Sequence, residues 1–378
     1  MKKLGVLNTI WAFLVMLCMV ACSGTDDEGT DGGVTPTPDA KGELVLTPSK
    51  SFIAADGQDA VTFTVTKGKN DVTSSAKIYL GSDEYGKTSF STTEAGEYKF
   101  FASYEGEISE KVTIKAVSGD AGEVPADPKP EQFTDFDQHV IGLLSTGTWC
   151  PNCPLLICAI QKYKAENSDS KIIFAEAHDG DGMANSFTGT LNNWAKIEGY
   201  PTITMNLDSK YAVGSYQDID YNIQNIKSQS DKLLKLGANT CIAASVKPSG
   251  NVLTVKASVK VATDNKYRAA AWVLEDGIYE KQSNGYSTLT IGYDVDTHHD
   301  VIRLSSSSKA YGDELANGNV MAAGETTDFA CNLDLTDKVS NIANCRVVIV
   351  TFAPVDGKFI VDNAVECPIG GSVAFQYK

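Results

Sequence analysis

The chain is 378 residues long and 42% hydrophobic, enough to build cores in two or three domains of roughly 100–200 residues each. Its 48 Asp and Glu outweigh 32 Lys and Arg, giving a formal net charge of -16 at pH 7. Phosphate binding relies on clustered basic side chains, so this balance excludes nucleic acid as a partner and reads as solubility.

In chain order, residues 1–21 come first: Met1-Lys2-Lys3, an apolar stretch from Leu4 to Met19 broken by Asn8 and Thr9, and small Ala21 before Cys22. The stretch is shorter than the ~20 apolar residues of a spanning helix, and the whole resembles a bacterial lipoprotein signal peptide. In that reading Cys22 becomes the lipidated first residue, Cys18 leaves with the signal, and the protein meets the membrane through an N-terminal lipid anchor. Residues 22–41 are rich in Gly, Thr, Asp and Pro without apolar periodicity and are expected to form a disordered tether. Asp26-Asp27-Glu28 resembles the acidic export signal of Bacteroidetes-type surface lipoproteins and reads equally well as solvated linker charge, so the periplasmic and outer faces both stay open.

Residues 42–117 alternate apolar and polar side chains, as in Val61-Thr62-Phe63-Thr64-Val65 and Lys111-Val112-Thr113-Ile114, with Gly57, Gly68, Gly81 and Gly96 punctuating the runs. This predicts an immunoglobulin-like β-sandwich, built without cysteine. Residues 118–132, holding three prolines and several acids, are the next linker.

The segment 133–236 carries the chemistry. His139 to Leu144 is a short apolar run suited to a buried parallel strand, and it feeds into Trp149-Cys150-Pro151-Asn152-Cys153. A two-residue spacing lets both cysteines sit at the first turn of a helix. The positive end of that helix favours the thiolate of Cys150, the candidate nucleophile, and Cys153 one turn inside would resolve the mixed disulfide. Leu155, Ile157, Ile160 and Tyr163 recur at helical spacing from Pro154 to Lys164. Lys171 to Ala175 reads as a second buried strand, Asn185 to Ile197 as a helix, Ile203 to Met205 as part of another strand, and Asp218 to Leu236 as a closing helix. A zinc site would require two further ligands at suitable spacing, and no second CxxC or HxxxH occurs, so neither a metal nor another cofactor is assigned. An inert scaffold in which the pair is a permanent staple is the competing reading.

This arrangement resembles thioredoxin. Gly199-Tyr200-Pro201-Thr202 looks like the cis-proline loop of those proteins, which implies that Tyr200 aligns an extended substrate segment beside Pro201. His178, at the carboxyl end of the second strand, has two readings: it lies on the sheet edge near Cys150 and helps stabilise the thiolate, or it caps the Gly- and Asp-rich surface turn Asp179-Gly180-Asp181-Gly182. Two departures stand out. Pro151-Asn152 replaces Gly-Pro between the cysteines, and Leu144 replaces the buried Asp six positions before the first, so proton removal from Cys153 lacks its usual helper.

Residues 237–378 are again strand-rich, with runs at Cys241–Val246, Val252–Val255, Arg268–Leu274, Arg346–Phe352 and Phe359–Val365, which predicts a second β-sandwich. Cys241, Cys331, Cys345 and Cys367 fall in it as structural disulfide candidates. Three pairings exist, of which Cys331 with Cys345 and Cys241 with Cys367 is favoured. Cys158 is left over, to be read as a small apolar packing residue on the helix or as a second redox partner for Cys153. Adjacent His298 and His299 point to opposite faces of a strand and do not share a metal ion, while Arg303 is suited to hold a carboxylate.

The whole resembles the Omp28-related outer-membrane lipoproteins. The matching pieces are Thr146-Gly147-Thr148-Trp149-Cys150 through Cys153-Pro154, His178 with Asp181 and Met183, Gly199-Tyr200-Pro201-Thr202, and His298-His299-Asp300-Val301-Ile302-Arg303. The resemblance implies a lipid-anchored outer-membrane protein with a central thioredoxin-like domain between two β domains. Two functions are carried forward. One is thiol-disulfide exchange on extended protein segments by Cys150 and Cys153; the other is non-enzymatic surface binding or adhesion, with a glycan or a protein as ligand.

Overall fold

A computed structural model describes residues 43–49, 52–117 and 122–378. The expected signal peptide, lipidated Cys22 and tether lie outside the described residues. Among the described residues no helix is long and apolar enough to cross a membrane.

Residues 43–117 form two packed sheets, one of four strands and one of six. Alternation makes the core: Val61, Phe63 and Val65 of strand Val61–Lys67 point inward while Thr62 and Thr64 face solvent. These residues meet Leu44, Leu46, Ile78, Phe100 and Ile114 in one apolar cluster. The unit touches the C-terminal part of the chain through Val117 against Ala330 and a Lys115–Asp313 ion pair at 3.5 Å.

The rest is built on one nine-stranded sheet. Its strands are β1 (Val140–Thr146), β2 (Ile172–His178), β3 (Thr202–Met205), β4 (Ala212–Gly214), β7 (Arg268–Glu275), β8 (Val301–Ser305), β10 (Cys345–Val355), β11 (Lys358–Pro368) and the short Asp313–Glu314. The order is β4-β3-β1-β2-β8-β7-β10-β11, with the short strand on β7. Three helices accompany it: α1 (Pro154–Glu166), α2 (Ser186–Ala195) and α3 (Ile219–Leu236). Strands β1 and β2 are parallel and buried along their whole length, as their unbroken apolar runs require. A second sheet of four strands consists of β5 (Thr240–Ser249), β6 (Val252–Val261), β9 (Thr326–Asp334) and Ser372–Val373.

Each face of the large sheet has its own cover. Val140, Leu144, Ile203 and Met205 pack under α1 and α3. Ile141, Leu143, Ile173 and Ala175 lie on the other face with Phe187 and Leu191 of α2 and with Trp272 of β7. Farther along, Ala269, Ala271, Val273, Val347 and Ile349 face the four-stranded sheet, so the mixed α/β half passes into a β-sandwich without a break. The helix starts follow local chemistry. The Asn185 side chain accepts from the amides of Phe187 and Thr188 while Thr188 Oγ1 accepts from the Asn185 amide, a reciprocal cap of about 1 kcal/mol. Asp218 caps α3 through the Tyr221 amide.

Two expectations are corrected. The boundary drawn between residues 236 and 237 does not divide two sheets, because β2 pairs with β8 and joins strands from both sides of it into one. A hydrophobic pattern shows that a strand is buried, not which strand it borders. The disulfide candidates Cys241, Cys331, Cys345 and Cys367 are free thiols. Cys331 belongs to β9 of the small sheet and Cys345 starts β10 of the large one. Cys241 packs with Phe136 and Phe375, whereas Cys367 lies in the sandwich interior. Neither favoured pair is bonded, and Cys241 and Cys367 pack in different apolar clusters.

The described ends of this larger unit close on each other. Phe136 bridges Tyr377, the Asp137 amide donates to the Gln376 carbonyl at 3.0 Å, and the Lys378 amide donates to the Asp135 carbonyl at 2.8 Å. Phe136, Cys241, Ala243 and Phe375 form a small core beneath this seam, and the Tyr377 hydroxyl donates to Asp127 at 2.7 Å.

Candidate functional site

The loop after β1 delivers Cys150 and Cys153 to the start of α1, where they form a disulfide with Cα atoms 5.5 Å apart. The helix proper begins at Pro154, where no amide donor is required, and the Leu156 and Ile157 amides both donate to the Cys153 carbonyl. Cys153 is fully buried and Cys150 is 2% exposed. Both sit in the apolar cluster with Leu144, Ile203 and the side of Tyr200, so no carboxylate takes the place that Leu144 fills.

Tyr200-Pro201 is cis and stands against this cluster. Trp149 is half-exposed, and its ring meets Tyr200 edge-on at 5.4 Å. The indole N–H donates to the Asp179 carbonyl at 2.7 Å. A Cβ at Gly147 would stand 2.6 Å from the Trp149 indole nitrogen and 2.8 Å from the Asp179 carbonyl, so only glycine lets the indole lie there. Burial, with the Asp179 charge beside it, pushes the Tyr200 phenol up to about 12.

The His178 ring is held by carboxylates and not by the cysteine pair. Its Nδ1 is 2.8 Å from Asp181 Oδ2 and its Nε2 is 3.1 Å from Glu176 Oε2, all buried, so both ring nitrogens are taken by carboxylates rather than by a cysteine sulfur. Burial alone would depress this imidazole, but the hydrogen bonds and charges of Asp181 and Glu176 win and hold it up to about 9. Its link to the redox loop is indirect: Asp181 Oδ2 also accepts the Thr148 amide at 2.9 Å. His298 is buried and His299 about half-exposed, on opposite faces as expected, and Arg303 pairs with the buried Glu275 at 3.3 Å.

Sequence reasoning missed the segment 276–297, which follows β7 and whose residues 280–285 lie on the disulfide loop. Gln282 Nε2 stands 3.3, 3.2 and 2.9 Å from the carbonyls of Gly147, Thr148 and Cys150. The Ser283 amide donates to the Thr148 carbonyl at 2.7 Å, and the Gly285 amide to the Pro151 carbonyl at 2.9 Å. Glu280 Oε1 accepts from the Thr148 hydroxyl at 3.2 Å. No local pattern in the sequence marks these residues, because their partners lie some 130 positions away. Cys158, buried with its thiol pushed up to about 12 by desolvation, packs as an inert residue.

The fold and site thus define a mixed α/β and all-β protein with a buried CxxC disulfide under a strap from its own C-terminal half. Residues 189–365, a span that begins after the cysteine pair, match the family model described as Outer membrane protein Omp28, which bears out the resemblance to that family and points to the outer membrane. No curated protein matches the chain. Among solved structures, HBP35 of Porphyromonas gingivalis is 16% identical over 62% of this chain and 76% of that one, with a TM-score of 0.48. Spo0M, a sporulation control protein from Bacillus subtilis, is 14% identical over 35% and 49%, with a TM-score of 0.23. The Yersinia pseudotuberculosis adhesin InvE is 9% identical over 87% and 60%, with a TM-score of 0.15. Likenesses of this extent carry nothing about chemistry.

Proposed function

We propose that this is a cell-envelope protein, lipid-anchored through Cys22, whose thioredoxin-like half exchanges thiols and disulfides on extended protein segments. The observation that carries the reading is the Cys150–Cys153 disulfide at the N-terminus of α1, facing the cis Tyr200-Pro201 loop. In the reduced protein the Cys150 thiolate attacks one sulfur of a substrate disulfide. The substrate S–S bond breaks, its leaving thiolate takes up a proton, and a mixed disulfide forms. The Cys153 thiolate then attacks Cys150 Sγ, closing the internal disulfide and releasing the second substrate sulfur as a thiol. Tyr200 and Pro201 align the segment, and His178 acts on the loop only through Asp181 and Thr148.

One observation favours the second reading, a non-enzymatic binding protein that uses this fold as a scaffold: Cys150 is 2% exposed and its loop is strapped from above. Exchange therefore requires the Trp149–Tyr200 contact or the strap to open. Equilibrium titration of the full chain against glutathione, with Cys150→Ser as control, separates the two. A potential within roughly -270 to -120 mV supports exchange, and a pair that stays oxidised well below about -300 mV leaves the scaffold reading.

A further inference from the structure

Behind the disulfide loop Glu176, His178 and His298 converge, each with one ligand-type atom within 4.8 Å of those of the other two. Glu176 Oε2 lies 3.1 Å from His178 Nε2 and 3.9 Å from His298 Nδ1. Zinc bonds of ~2.0–2.2 Å in a tetrahedron set neighbouring ligand atoms ~3.3–3.5 Å apart, so modest side-chain adjustments would bring the three onto one ion. Each residue is buried, at 5%, 0% and 1% exposure respectively.

The surroundings are those of a metal centre. The other nitrogen of His178 faces Asp181, and the other nitrogen of His298 bonds the Glu280 carbonyl at 3.1 Å. Carboxylate and carbonyl partners of this kind fix the ring tautomer and turn the free lone pair toward a metal. His298 Nδ1, which faces Glu176 and His178, is a buried nitrogen with no hydrogen-bond partner. Left so, it carries an uncompensated desolvation penalty that a metal–nitrogen bond removes. A cleft lined by Ile157, Ile160, Gln161, Lys164 and Thr297 reaches Glu176 and supplies a route for an ion from solvent.

We propose that Glu176, His178 and His298 bind one divalent transition metal ion of borderline softness, with Zn²⁺ the best match to two imidazoles and one carboxylate. Two ligands come from β2 and one from the base of the strap, so the ion would pin the strap to the sheet. The rival state is a metal-free ion network in which His178 is held between Glu176 and Asp181.

The test strips the purified full chain with chelator and titrates it with Zn²⁺, and with Co²⁺ as a coloured substitute. One equivalent of Zn²⁺ per chain should survive desalting. The Co²⁺ form should show four-coordinate visible absorption without an intense thiolate charge-transfer band, which separates this site from binding at cysteines. His298→Ala should weaken Zn²⁺ at least tenfold and Asp181→Asn about 10–100-fold, while His299→Ala leaves affinity unchanged. Zn²⁺ should also raise the melting temperature of the wild type but not of His298→Ala, so the wild-type readouts stand even if a variant folds poorly. Absence of stoichiometric Zn²⁺ in the wild type, a thiolate band, or undiminished affinity in a folded His298→Ala variant would each overturn the site.

Discussion

Gln282 is one carboxamide serving a loop of three carbonyls, and it is 3% exposed. Replacing it by Leu leaves those buried acceptors with fewer donors, and each orphaned group costs about 1–3 kcal/mol. Gln282→Leu should therefore lower stability by about 2 kcal/mol in urea titration and speed reduction of Cys150–Cys153 by dithiothreitol; the strap's role fails if neither changes. At this scale the sequence shows Cys150, Cys153 and Pro201 well, because i,i+3 spacing and an X-Pro step are local facts. It shows His178 as a residue of interest but misdirects it, since only the fold reveals that Asp181 and Glu176 take both nitrogens of its ring. The partners Glu280 and Gln282 carry no local sign at all.

At the level of elements, helix positions follow from caps and periodicity, with the expected Asp218–Leu236 found as Ile219–Leu236 behind an Asp218 cap. The sheet order does not follow so readily, because β2 and β8 meet at a single register pair, Glu176 with Val301. What secures that junction is polar. Arg346 on β10 contacts Asp300, Asp276 at 2.9 Å and Glu366 at 2.9 Å, and Lys164 of α1 reaches Asp300 at 2.9 Å. Burial alone would raise Asp276, but the Arg346 guanidinium and the Asp300 amide hold it below the usual carboxylate range. A depressed folded-state pKa adds stability that is present above about pH 4 and is lost as pH falls through the folded value. Melting temperature should therefore drop below about pH 4 in the wild type, and Arg346→Met should flatten that acid limb while destabilising the protein by about 3 kcal/mol at neutral pH. An acid limb of equal slope in both proteins would remove Arg346 from its cause.

Over the whole molecule, the two fold classes read from the sequence are both present, but they are not laid end to end. Apolar runs such as Arg268–Leu274 announce a buried strand equally well for a separate sandwich and for the middle of a shared sheet, so the join was not legible. That Cys241, Cys331, Cys345 and Cys367 are free escaped the reading for a like reason: composition counts thiols, and only packing says which face one another. The seam at Phe136 and Tyr377 tests the idea that this unit stands or falls as one. Deleting residues 375–378 removes buried Phe375 and the Tyr377 hydroxyl bond, a loss of about 3 kcal/mol, or roughly 6–12 °C in a single calorimetric transition. Two separated transitions, or an unchanged melting point, would contradict it.

That seam also sets an order of events during manufacture. A ribosome delivers Phe136 long before Phe375, and every strand of both sheets is made in between. Until the tail arrives, Phe136, Cys241 and Ala243 keep an apolar side bare, and the Cys241 thiol lacks the Gln376 carbonyl to which it donates at 3.2 Å. A folding intermediate in which residues 375–377 have not yet docked thus keeps a sticky, thiol-bearing flank, and docking of that segment is what covers it.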